Sequence, residues 1–232
     1  MDIVILIMTP MTPVRFFSHV YNRGVDKRVI FLNDNHRRRF ITTLRLSRLL
    51  KSPSIAVLDD WLKRDKITPE KIGKAEEEFG PPILDIVALI LMNNHFHLVL
   101  GESEDKKTAI AKFMQRLGTA FTMYFNKVEK RKGRLFESKY KSVAIIHDEQ
   151  LLQAVRYVHV NPANGEFSRW NEQNLPKYQW SSLSSYLNHP EPWINTEPVM
   201  SLLNNKNEFW EYTKLGICLP RSELLTKKLR LE

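Results

Sequence analysis

Cysteine is nearly absent: Cys218 is the single one in 232 residues. That excludes a disulfide framework and any zinc site built on cysteines, and it makes a reducing cytoplasm the expected setting. Long apolar runs are missing too. Ile3 to Met8 is apolar but far too short to span a bilayer. It lacks a basic flank and a small-residue cleavage site, so no signal peptide is expected and no membrane partner is read. There is no internal repeat and no low-complexity tract. Acidic residues are scarce in two places. From Arg23 to Lys51 nine Lys/Arg face two acids, and from Lys106 to Lys141 eleven face two. These islands carry +7 and +9 in a chain of net charge +9, so the remainder carries −7. Two basic islands in an otherwise acidic chain point to a polyanion-binding face.

What is present orders itself by hydrophobic period. Phe16 to Tyr21 reads as a strand ended by the turn residues Asn22-Arg23-Gly24. Val29 to Leu32 reads as a second short strand or a helix lead-in. Asn33 to Asn35 offer N-caps to a helix carrying Phe40, Ile41, Leu44 and Leu49. Its other sides hold Arg37, Arg38, Arg39, Arg45 and Arg48. The charged segment 59–80 reads as a helical insertion. Ile83 to Met92 suits a buried strand, and His95 to Leu100 resumes the pattern after an Asn93-Asn94 turn. A single long bent strand is the alternative. Asp105 to Phe125 predicts a long amphipathic helix, followed by a basic loop to Lys141 and a strand over Ser142 to Ile146. Asp148 is the expected N-cap of a last helix ended by Pro162. Beyond it, Trp180 to Leu187 and Val199 to Tyr212 read as short helices. The order predicts an α+β fold, an antiparallel sheet with helices packed on one side, spanning residues 14–165, with a partly helical C-terminal extension over 166–232.

Two groups carry chemistry. In a strand, residues i and i+2 share a face, so His95 and His97 present two imidazoles side by side. Taken alone such a pair arises by chance at about 0.2 per chain of this histidine content. Tyr157 and Asn161, four apart, share one face of the last helix. Packing and helix capping are the plain roles for these two.

The residues also carry a resemblance. Asn93-Asn94-His95-Phe96-His97-Leu98-Val99 is similar to the His-hydrophobic-His motif of the single-tyrosine HUH transposases. Arg156-Tyr157-Val158-His159-Val160-Asn161-Pro162-Ala163 resembles the tyrosine helix of the REP-associated tyrosine transposases. Asn22-Arg23-Gly24, Gly133-Arg134-Leu135-Phe136 with Lys139-Tyr140-Lys141, and Trp180-Ser181-Ser182 with Tyr186 look like the same branch. The resemblance implies a ferredoxin-like fold and a bacterial cytoplasmic, nucleoid-associated protein. It implies Mg²⁺ or Mn²⁺ held by His95, His97 and Asn161, and Tyr157 as the nucleophile. Tyr157 would attack single-stranded or hairpin DNA, giving a 5′-phosphotyrosine and a free 3′-hydroxyl that can reverse the step. A free phenol titrates near 10, so about 4 kcal/mol opposes its ionisation at pH 7. His147 and His159 are candidate bases, at uninformative spacing. For DNA contact the basic islands offer Arg23, Arg37, Arg38, Lys130, Arg131, Lys132, Arg134 and Lys139, with Phe136 and Tyr140 either stacking on bases or packed in the core. The alternatives are a non-cleaving relative that binds structured DNA or RNA, and a phosphoesterase that uses water. A homodimer is one arrangement left open, since Tyr157 can serve its own histidines or a partner's.

Overall fold

The computed structural model describes residues 16–51, 53–54, 74–75, 77–102, 108–164, 169–217 and 219. Cys218, Ile3 to Met8 and most of the expected insertion lie outside them. Four strands, β1 (Phe16–Arg23), β2 (Asp85–Leu91), β3 (His95–Glu102) and β4 (Lys141–Ile145), form one antiparallel sheet in the order β2-β3-β1-β4. Helix α1 (Asp34–Ser47) joins β1 to β2, and α2 (Ala109–Val128) joins β3 to β4. This strand–helix–strand–strand–helix–strand order is the ferredoxin-like arrangement, so the fold is α+β as expected. The Asn93-Asn94 hairpin is present, closed by Met92 N–H on the His95 carbonyl at 2.9 Å.

The two faces of the sheet differ. Pairing in register puts Val20, Leu89, Phe96 and Leu98 on one face, under α1 and α2. There Phe40 meets Phe31 at 5.1 Å, Phe96 at 4.9 Å and Phe121 at 5.0 Å, and Phe136 meets Phe96 at 5.9 Å. Phe136 is therefore core and not a base-stacking platform. The other face carries His19, Tyr21, His95, His97 and Val99. Helix α3 (Asp148–Val160) lies across it, against β2, β3 and β4. The helices thus do not pack on one side, as the sequence reading had it. The cause lies in β2 and β3, which are buried on alternate and intervening residues alike and need cover on both faces.

Of the two readings of Val29 to Leu32, the helix lead-in holds and the strand does not. Ile30 and Phe31 both donate to the Asn93 carbonyl and lead into α1, whose N-cap Asn33 accepts from His36 N–H at 3.2 Å. Asp148 is the first residue of α3 and not its cap; His147 takes that place, and Gln150 Oε1 turns back to accept from Ile146 N–H. The Val199–Tyr212 stretch is two helices, Glu197–Met200 and Lys206–Leu215, separated where Asn205 caps the second.

The described part of the C-terminal extension completes the sheet. It runs along the outer edge of β2. Leu91 N–H donates to Trp180 O, Ser182 N–H to Leu89 O, Asn195 N–H to Ile86 O, and the Tyr178 and Tyr186 hydroxyls to Leu91 O and Val87 O. An edge strand left open is a template for unwanted pairing, and this cover removes it. His159 anchors the cover. Its Nε2 meets Ser182 Oγ at 2.8 Å and its ring packs on Tyr186 and Phe209.

Burial lowers the pKa of His159 to about 3. The unfolded chain, with histidine near 6.5, binds that proton more readily than the folded one, so stability is full above pH 6.5 and falls as pH drops from there toward 3. From pH 7 to pH 5 this one group removes about 2 kcal/mol. Urea unfolding at both pH values tests it: the loss is expected to shrink by about that amount in His159→Gln.

Gly24 follows β1, where its N–H donates to Asn94 O at 2.8 Å. A Cβ there would stand 2.4 Å from the Arg28 carbonyl oxygen and 2.7 Å from Ile30 Cγ2. Gly24→Ala is expected to cost about 1–3 kcal/mol in urea unfolding, as overpacking does.

Candidate active site

The α3-facing side of the sheet gathers aromatic and imidazole rings. β1 and β3 pair with Tyr21 opposite His97 and Arg23 opposite His95, and β4 places Lys141 beside Tyr21. The His95 and His97 ring centroids are 5.1 Å apart. Tyr157, from α3, stands perpendicular to His97 at 5.2 Å and edge-on to His19 at 5.7 Å. Tyr21 stacks on His97 from the strand beside it at 5.3 Å. All are buried: His97 is 1% exposed, His95 8% and Tyr157 4%. Residues sixty apart in sequence therefore share one cluster, within a single chain.

Hydrogen bonds orient the imidazoles. Asn94 Nδ2 donates to the Lys27 carbonyl at 3.1 Å, which turns its Oδ1 toward His95 Nδ1 at 2.6 Å. His95 therefore carries its proton on Nδ1, and Nε2 holds the lone pair. His97 Nδ1 lies 3.0 Å from His19 Nε2, with the two rings stacked at 5.2 Å. His19 is fully buried, and burial lowers its pKa to about 4, so it is neutral at pH 7.

Asn161 follows the last residue of α3 as its C-cap. It is 2% exposed, and among the described residues neither its amide oxygen nor its amide nitrogen has a hydrogen-bond partner. Leaving such a group unsatisfied costs about 1–3 kcal/mol and calls for an explanation. Asn161 lies four residues beyond Tyr157, which meets His97, an advance of about 6 Å along the helix. Among the described residues no group of three or more His, Cys, Asp or Glu is arranged to hold a metal. A cation at this cluster would rely on two imidazoles and an amide oxygen. The lone pair on His95 Nε2 and the unsatisfied Asn161 amide fit that donor set, which suits Mn²⁺ better than the more strictly oxygen-seeking Mg²⁺.

The cations divide into two kinds. Arg37 is held by Asn93 Oδ1 at 2.8 Å and by Asp34, and lies over the Trp180 ring. Arg131 is held by Asn126 Oδ1 and the Arg134 carbonyl. Both pin the fold. Arg38, Lys130, Lys132, Arg134 and Lys139 are exposed, and Arg23 is half-buried. Beside the ring cluster Tyr21, Arg23 and Lys141 line a groove of about 200 Å³ together with Asn22, Glu137 and Ser138. A larger pocket of about 700 Å³ lies between α2 and the basic loop, with Arg134 and Lys139 on its wall, and includes neither His95, His97 nor Tyr157. His159 faces the C-terminal extension and His147 is exposed at the helix start, so neither is in the ring cluster.

Sequence reasoning overlooked His19, Tyr21 and Asn94. The signal for the first two was the alternation His19, Tyr21, Arg23 on one strand face, and it becomes informative only once β1 is known to lie beside β3.

No protein-family description matches the chain, and a search of curated proteins found no match. Among solved structures, a REP-associated tyrosine transposase bound to a REP hairpin aligns over 74% of this chain and 82% of its own, at a TM-score of 0.40 and 13% identity. Among the described residues no helix is long and apolar enough to cross a membrane.

Proposed function

We propose that the protein is a metal-dependent single-stranded DNA endonuclease and strand transferase that cuts beside hairpins. The observation that carries this reading is the seat of Tyr157, perpendicular to His97 at 5.2 Å on the sheet face that also holds His95. His95 and His97 through Nε2, and Asn161 through its amide oxygen, would hold Mg²⁺ or Mn²⁺. Such an ion, when bound, polarises the scissile phosphate and offsets charge on its oxygens. The Tyr157 oxygen forms the new bond to phosphorus. The 3′ oxygen leaves as a hydroxyl, gaining one proton for the one the phenol loses. The 5′-phosphotyrosine keeps the bond energy, so attack by a 3′-hydroxyl reverses the step and exchanges strands. Arg23 and Lys141, in the groove beside the rings, suit the phosphates next to the cut. The exposed cations Arg38, Lys130, Lys132, Arg134 and Lys139 suit the flanking backbone, with a log–log salt slope of about −0.7 per phosphate contacted.

A second reading, binding of structured DNA or RNA without cutting, is favoured by one observation: Tyr157 is 4% exposed. Attack therefore requires displacement of whatever covers the phenol. Incubation with Mn²⁺ and single-stranded DNA hairpins, followed by denaturing electrophoresis, separates the two. A covalent protein–DNA band supports cutting. Salt-sensitive binding with no such band supports the second reading and overturns the first.

A further inference from the structure

We infer that His19 is a positioning residue that sets the tautomer of His97 and so makes His97 a competent metal ligand; the inference rests on the metal-site reading above. The two histidines of β3 are oriented by different devices. His95 is locked by Asn94, whose amide is fixed in turn by the Lys27 carbonyl, so its Nδ1 must donate. For His97, Nδ1 faces His19 Nε2 at 3.0 Å, and either nitrogen can carry the shared proton.

The two arrangements have opposite consequences. When His97 Nδ1–H donates to His19 Nε2, the lone pair of His97 is on Nε2, where it can bind a cation. When His19 Nε2–H donates to His97 Nδ1, the His97 proton is on Nε2 and coordination there is blocked. Coordination therefore requires His19 as the acceptor. An acceptor behind a ligating imidazole also fixes the ring plane and raises its basicity. The stacking of the two rings at 5.2 Å, with Tyr157 edge-on to both, leaves the His19–His97 pair little room to rotate. One buried side chain thus touches both the ligand ring and the nucleophile ring.

The test is Mn²⁺ titration of the full chain by calorimetry and electron paramagnetic resonance, with no DNA present. His19→Leu removes the acceptor, and His19→Gln places an amide oxygen near the position of Nε2. His19→Leu is expected to weaken Mn²⁺ binding by about 10- to 100-fold, and His19→Gln by no more than about threefold. Wild-type affinity in His19→Leu overturns the inference alone, as does equal weakening in both variants. A wild-type chain that binds no Mn²⁺ overturns the metal-site reading, and this inference with it. If His19→Leu does not fold, long-range ¹H–¹⁵N spectra of the wild type with saturating Mg²⁺ decide. His97, assigned by its loss in His97→Gln, is expected to be protonated on Nδ1; protonation on Nε2 overturns the inference.

Discussion

Tyr157→Phe is expected to form no covalent protein–DNA adduct, a drop of at least about a thousandfold, because it removes the proposed nucleophile. The change takes away one oxygen and leaves the ring. Contacts of that ring with His97 at 5.2 Å and His19 at 5.7 Å remain, so the fold is kept. The basic surface is also untouched, and hairpin DNA should bind within about twofold of wild type at equal salt. Gel analysis of the adduct and filter binding on the same preparations check both halves. A full adduct yield from the variant would remove Tyr157 from its role. Normal adduct chemistry with lost binding in Arg134 or Lys139 variants would instead concern only the DNA surface.

The second large effect belongs to His97→Ala, which should damage site and fold together. His97 is 1% exposed and packs against His19, Tyr21, His95 and Tyr157. Deleting the ring leaves a cavity among aromatic neighbours and is expected to cost about 2–4 kcal/mol. The same deletion removes a proposed ligand nitrogen, and adduct formation with Mn²⁺ should fall by about a thousandfold or more. Unfolding in urea and adduct yield below the unfolding transition separate the two losses. Cleavage near the wild-type rate in a folded His97→Ala protein would contradict the metal assignment.

How far the chain could be read depended on whether a feature was local. The strand and helix order followed from period. That His95 and His97 share a strand face, and Tyr157 and Asn161 a helix face, followed from spacing, which is a property of a few consecutive residues; that the four belong to one site was only what the family resemblance implied. Register is not local. That β1 lies antiparallel to β3 with Tyr21 opposite His97 decides that His19 meets His97, and nothing within Phe16–Arg23 specifies it. The placement of helices on one side failed for a related reason. The unbroken apolar run of β2 already implied cover on both faces, but not that α3 would supply it opposite α1 and α2, nor that the segment from Trp180 to Asn195 would close the β2 edge. Charge was the least legible. Arg37 and Arg131 look like the other cations of their islands in sequence, yet Arg37 is held by Asn93, which only folding brings near, and Arg131 by Asn126 and the Arg134 carbonyl within its own loop. The Asn93-Asn94 pair was legible as a turn, while the hold of Asn94 on His95 Nδ1 was not.

The central claim is that the Tyr157 oxygen becomes bonded to a 5′-phosphate. It is tested most directly by incubating the wild-type chain with Mn²⁺ and the same single-stranded hairpin labelled at either its 5′ or its 3′ end. The 3′-labelled fragment is expected to remain covalently on the protein, at Tyr157, while the 5′-labelled fragment is released with a free 3′-hydroxyl. Retention of the 5′ label, or cleavage with no label on the protein, would contradict it.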